Sequence, residues 1–165
     1  MNAQTPTGNR GTGGVRVGLA VSRYNDFVTN RLQDGAMGAL REAGVAEDAI
    51  VVAPVPGAFE VPQAARRLAA AGGVDAVIGL GCLIRGETAH FEVIASAVAH
   101  GLTQAALDSG VPMTFGVLTT NSAEEALARA GAGPANKGWE AADAALAMVR
   151  LFRRLGPPGA GGHPA

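Results

Sequence analysis

Four short runs of the 165-residue chain are apolar almost throughout, at 15–21, 50–56, 76–81 and 113–118. Strands covered on both faces read this way, whereas a half-exposed strand alternates. Between the runs, apolar residues recur at intervals of three and four, the period of a helix with one face buried. Val28, Leu32, Ala36, Ala39 and Leu40 make one such stripe, and Val61, Ala65 and Leu68 a second, with Pro62 in its first turn. Phe91, Ile94, Ala95, Val98, Leu102 and Ala106 make the clearest one, and Trp139, Ala142, Leu146, Val149 and Phe152 the last. Ser122 with Glu125 three residues on predicts a further helix start, closed by a capping box.

Strands alternating with helices predict a single α/β domain, with a four-stranded parallel sheet sandwiched between helices on both faces. Pro54 and Pro56 each lack a ladder donor, which assigns the second strand to a sheet edge. The strand order is then 2-1-3-4, the flavodoxin-like arrangement. The domain is expected over 15–155. Residues 1–14 and 156–165, rich in Gly, Pro and small polar residues, are expected to be flexible ends.

Charge and composition narrow the partners. Only 16% of residues are charged against 48% apolar, fewer charges than the roughly 25% of ordinary soluble domains. That balance fits either a homo-oligomer or a compact alanine-rich monomer. A net charge of −1 supplies no basic field for nucleic acid or an anionic membrane. No apolar run reaches the ~18 residues of a membrane span, and the first fourteen residues lack the apolar stretch of a secretory signal. The single cysteine, Cys82, excludes an internal disulfide, and a cytoplasmic protein is expected. His90, His100 and His163 form no metal-ligand spacing with it.

In open α/β sheets, ligands bind beyond the carboxyl ends of the strands. The unusual residues of this chain cluster in those segments: Ser22 to Asn25, Gly57 to Glu60, Cys82 to His90, and Thr119 to Asn121. None carries a dinucleotide or Walker glycine pattern. Taken singly, several have plain readings. Tyr24 suits a capping aromatic, Phe115 a core residue inside a strand, Glu60 a helix start and Arg129 a helix end. His90 is different. It opens a helix, where the dipole disfavours a cation, and it follows Thr88 and the N–H groups around Gly86, a natural anion site. A histidine beside an anion pocket suits general acid/base work. The residues by themselves therefore imply an α/β domain that handles a small phosphorylated substrate.

Several segments together carry a resemblance. Pro56-Gly-Ala-Phe-Glu-Val-Pro62, Gly81-Cys-Leu-Ile-Arg-Gly-Glu-Thr-Ala-His-Phe91, Thr114-Phe-Gly-Val-Leu-Thr119 and Asn136-Lys-Gly-Trp-Glu-Ala141, in that order, resemble the lumazine synthases of riboflavin biosynthesis. Arg23-Tyr-Asn25 and Arg129-Ala-Gly131 also fit, so the likeness runs from about Val15 to Phe152. It implies a cofactor-free and metal-free transferase that condenses 5-amino-6-(D-ribitylamino)uracil with 3,4-dihydroxy-2-butanone 4-phosphate. The products are 6,7-dimethyl-8-ribityllumazine, phosphate and water. By the same resemblance Tyr24, where the family usually has Phe or Trp, stacks on the pyrimidine. Ala58, Phe59 and Glu60 hold the ribityl chain, and Cys82, Leu83 and Ile84 offer main-chain groups to the ring. Glu87, through its backbone, and Thr88 bind phosphate, Arg129 clamps it, and His90 shuttles protons. Phe115 and Arg129 come from a neighbouring subunit, so the sites sit at the interfaces of a homopentamer able to stack into larger assemblies. A flavin-sequestering relative has no need of His90 and Arg129 together, and a purely structural shell protein has no reason to retain Glu60, Thr88 and His90.

Overall fold

A computed structural model describes residues 13–159. Of the ends expected to be flexible, 1–12 and 160–165 lie outside the described residues. In chain order the elements are β1 (Val17–Ser22), α1 (Asp26–Glu42), a 3-10 turn (Glu47–Ala49), β2 (Ile50–Val55), a second 3-10 turn (Ala58–Glu60), α2 (Val61–Ala70), β3 (Ala76–Ile84), α3 (His90–Ser109), β4 (Met113–Thr120), α4 (Ala123–Arg129) and α5 (Lys137–Leu155). The four strands form one sheet in the order β2-β1-β3-β4, and all three pairings are parallel.

Alternation along the central strands splits the core in two. Val17, Leu19 and Val21 of β1, with Ile78, Leu80 and Cys82 of β3, face α1 and α5. Ala20 and Val77 face the other way, against Val61 and Ala65 of α2 and Val98 and Leu102 of α3. β1 is buried at every position, as a strand with neighbours and helices on all sides must be.

β2 departs from the expectation of full burial: Val51, Val52 and Pro54 are exposed. The expected edge position is the reason. The Arg23 N–H donates to the Val55 carbonyl (2.8 Å). Backbone direction reverses at each residue, so Val55 and Ala53 bond toward β1 while the nitrogen of Pro54 faces outward. The proline costs the ladder nothing and withholds one donor from the free edge.

Two boundaries lie further along the chain than the apolar runs suggested. β3 continues through Cys82, Leu83 and Ile84, and β4 through Thr119 and Thr120. These residues pair with one another, Cys82 with Leu118 and Ile84 with Thr120, so what looked like loop is strand. The third stripe is also only partly core. Val98 and Leu102 are buried and Phe91, Ile94, Ala95 and Ala106 are half-buried, while outside the stripe Val93 and Leu107 on the same helix are exposed to 62% and 76%. α3 covers the β3–β4 side of the sheet, and among the described residues no layer lies outside it.

Candidate active site

The turn after β1 is tied down on both sides. Arg23 bonds to β2 as described, and the Asn25 amide Nδ2 donates to the Cys82 carbonyl of β3 (2.9 Å). Asn25 has φ 60° and ψ 48° and is the one non-glycine residue with positive φ among the described residues. Asparagine adopts this left-handed geometry more readily than other non-glycine residues, and here its side chain is anchored across to β3. Between the two ties Tyr24 stands 69% exposed. A ring held in water by a fixed turn caps nothing and is free to meet a ligand.

After β2, Gly57 is extended and leads into the 3-10 turn. The Glu60 carboxylate folds back over it, with Oε2 3.2 Å from where a Cβ at position 57 would stand. Glycine there leaves the carboxylate its place. Ala58 is buried beneath the turn while Phe59 is half exposed. Pro62 lies in the first turn of α2, as expected.

β3 then delivers Cys82, Leu83 and Ile84, and a short loop leads to His90, the first residue of α3. The His90 N–H donates to the Thr88 hydroxyl at 3.4 Å, which turns that hydroxyl back toward the helix start. A hollow of about 420 Å³ brings these pieces together. Its walls include Tyr24, Ala58, Phe59, Cys82, Leu83, Ile84, Thr88 and His90, all singled out from the sequence. Glu60 and Glu87 do not line it.

Burial pushes the Cys82 thiol up to about 11. At neutral pH it is a protonated, 1% exposed wall residue and no nucleophile. Among the described residues, no three His, Cys, Asp or Glu side chains converge as a metal site would require.

Phe115 and Arg129 lie elsewhere. They line a second hollow, of about 570 Å³, along the outer side of β4, and no residue lines both hollows. Phe115 is 47% exposed, so its core reading fails: β4 is an edge strand and the ring lies outside the packed layers. Arg129 ends α4 and donates from Nη1 to the Glu125 carbonyl (3.2 Å). Lys137 stands in the same hollow with its ammonium on both carboxylate oxygens of Glu140 (2.9 and 2.8 Å).

Sequence reasoning assigned no role to Asn25, Phe91 or Ile94 in the first hollow, nor to Lys137 and Glu140 in the second. A signal existed for Asn25, since asparagine before a helical stripe marks a helix start that accepts unusual backbone angles. Phe91 and Ile94 were hidden because their spacing is that of core residues. Nothing in local sequence separates a side chain facing a hollow from one facing the sheet.

Comparison with known proteins adds a separate finding. The family profile described as 6,7-dimethyl-8-ribityllumazine synthase matches residues 14–153. A protein of that name from Chloroherpeton thalassium is 46% identical over 155 residues, covering 94% of this chain and 100% of its own length. One from Syntrophus aciditrophicus is 50% identical over 142 residues, covering 86% and 92%. Another from Chlorobium phaeovibrioides is 44% identical over 155 residues, covering 94% and 100%.

Proposed function

The chain belongs to the 6,7-dimethyl-8-ribityllumazine synthase family, and we propose that it carries out that condensation in the hollow between Tyr24 and His90. It is a transferase of riboflavin biosynthesis that forms dimethylribityllumazine from two small molecules. The observation that carries the assignment of the site is the convergence of Tyr24, of Ala58 and Phe59, and of Cys82 to Ile84 with Thr88 and His90, from three separate segments, on one cavity of about 420 Å³.

The chemistry follows from what each group offers. The Tyr24 ring stacks on the pyrimidine. Main-chain groups of Cys82, Leu83 and Ile84 meet the ring edge, and Ala58, Phe59 and Glu60 meet the ribityl chain. Glu60 reaches it from outside the hollow's lining and accepts from its hydroxyls. The Thr88 hydroxyl and the N–H groups of the loop before α3, that of Glu87 included, hold the phosphate at the start of a 20-residue helix. The pyrimidine's amine attacks the ketone and water leaves as the Schiff base forms. Phosphate then departs, and the ribityl-bearing nitrogen closes the ring with loss of water. His90, at the loop's end, moves protons through these steps. Holding both substrates in one orientation supplies much of the remaining rate.

Phe115 and Arg129 belong to the same reaction through a second copy of the chain. Their hollow, with Lys137 beside them, is the complementary half of a site that a neighbouring subunit completes. The exposed Phe115, Val93 and Leu107 and the low charge content support a homo-oligomer, which we assign as a pentamer acting in the cytoplasm, with residues 15–155 as the functional unit. The test is direct: mix the purified protein with the two substrates and follow lumazine absorbance and phosphate release together. Equal release of both is expected; neither appearing would refute the assignment.

A further inference from the structure

The loop that carries Thr88 is enclosed by contacts of a residue just before it. The Arg85 N–H donates to the Thr120 carbonyl at the end of β4 (2.8 Å). Its side chain reaches in two directions. The guanidinium lies over the Phe91 ring, with its carbon 4.5 Å from the centroid, and Nη1 pairs with the Glu92 carboxylate. Nε donates to the Asn121 Oδ1 (3.1 Å). Phe91 and Glu92 are in the first turn of α3, directly after His90, and Phe91 also lines the first hollow. One side chain therefore spans the loop from its first residue to the helix that follows it, and fastens both to the end of β4.

The chain of contacts continues. The Asn121 N–H donates to the Glu125 carboxylate (2.9 Å), and Glu125 lies in α4, whose last residue is Arg129. Glu125 also accepts from Arg129 through its carbonyl (3.2 Å). The loop that the chain uses in its own hollow and the arginine of the second hollow are thus joined by Arg85, Asn121 and Glu125. Glu92 balances the Arg85 charge, and the planar fork is already committed to Glu92 and Asn121, a geometry that an ammonium does not reproduce.

We infer that Arg85 is a positioning residue: it holds the Gly86-to-His90 loop in its phosphate-binding shape by stapling Phe91 and Glu92 to Asn121. The inference rests on the site reading given above. It goes further in assigning an effect on one substrate only. The loop faces the phosphate, whereas the pyrimidine is held by Tyr24 and the end of β3, and the Arg85 side chain instead reaches Phe91, Glu92 and Asn121.

Steady-state kinetics of Arg85→Ala, Arg85→Lys, Asn121→Ala and the Arg85→Lys/Asn121→Ala pair test it, with thermal melting as a control for folding. Arg85→Ala should raise KM for the butanone phosphate and lower kcat/KM by between about tenfold and a hundredfold, the scale of a misplaced reacting group. KM for the pyrimidine should stay within about twofold. Inorganic phosphate, used as a competitive inhibitor, should weaken in parallel with the butanone phosphate. Arg85→Lys should retain the charge but lose the Nε bond, and should fall between wild type and Arg85→Ala. Asn121→Ala should shift the same parameter in the wild-type background and add nothing to Arg85→Lys, because the bond it removes is already gone. Equal rises in KM for both substrates would overturn the inference, since they would report general loosening. A fully active Arg85→Lys with a silent Asn121→Ala would also overturn it, making Arg85 a direct charge contact to phosphate. Where Arg85→Ala melts too low to assay, the lysine and Asn121 variants decide between the same outcomes. Absence of lumazine formation in the wild-type protein would instead sink the site reading on which the inference stands.

Discussion

Tyr24 keeps most of its ring in water on a turn that two hydrogen bonds hold still, so its contribution should be that of an aromatic face. Tyr24→Ala is expected to weaken the pyrimidine by about 0.5–1.5 kcal/mol, while Tyr24→Phe should be close to neutral. Titration of the pyrimidine against each variant checks this, and equal damage from both would assign the effect to the hydroxyl. For His90→Ala, turnover at saturating substrates should fall by about 10²–10⁴, with the rest sustained by orientation; an unchanged turnover removes His90 from the proton steps. Cys82 makes a pH prediction. Its folded value of about 11 lies above the ordinary 9.0, so the folded chain keeps a proton that the unfolded chain gives up sooner. The stability this contributes is complete below about pH 9 and drains as pH climbs toward 11. Wild-type melting temperature should therefore decline more steeply than that of Cys82→Ala over that window. Parallel slopes would show that the thiol is not shielded.

At the scale of elements, α1 and α5 are clasped by Asn136. Its Oδ1 caps α5 by accepting from the N–H groups of Gly138 (2.7 Å) and Trp139 (3.4 Å). Its Nδ2 donates to the carbonyls of Arg31 in α1 (2.9 Å) and of Gly131 (2.7 Å). The residue is 2% exposed, so removing it leaves buried groups without partners as well as a helix without a cap. Asn136→Ala should cost about 2–4 kcal/mol on those two accounts together, read as a lower midpoint in urea. Gly138→Ala should be at least as damaging, because an added Cβ would collide with the Leu32 carbonyl of α1; a Gly138→Ala protein as stable as wild type would mean the helices can shift apart freely. The sequence marked α5 by its stripe and α4 by Ser122 and Glu125. The Ser122 hydroxyl does accept from the Glu125 N–H (3.1 Å), although the Glu125 carboxylate bonds the Asn121 N–H rather than that of Ser122. The Asn136 clasp was not legible, since it depends on Arg31 lying 105 residues away along the chain.

For the whole molecule, the separation of the two hollows makes the strongest prediction. Arg129→Ala should raise KM for the butanone phosphate by about 1.5–3 kcal/mol, the value of a charged hydrogen bond. Arg129→Lys should recover part of it. Subunits of Arg129→Ala and of His90→Ala, dissociated and reassembled together, should regain activity above either parent, because some interfaces then pair an intact arginine with an intact histidine. Mixed assemblies no more active than the parents would place each complete site within one chain. The exposed face of α3 bears on assembly too. Replacing Val93 and Leu107 by Glu should shift the protein toward smaller species in sedimentation if that face is covered by a neighbour, and leave the size unchanged if it faces solvent.

The alternation of apolar runs with helical stripes determined the sheet, its order and its two helical layers, because burial on one face or two leaves a periodic trace that needs no knowledge of the partner. Proline determined the edge strand in the same local way. The sequence also named most of the hollow's walls, because the open sheet places ligands at the carboxyl ends of its strands whatever the chemistry. Only the tertiary structure decided that Phe115 is exposed, that Cys82 to Ile84 are strand, and that Phe91 and Ile94 face a cavity. It set Phe115 and Arg129 in a hollow separate from that of Tyr24 and His90, whereas their assignment to a neighbouring subunit came from the resemblance. Each of these depends on which surfaces meet across long stretches of chain. A three-or-four spacing is the same whether the covered face meets a sheet, a substrate or a second subunit.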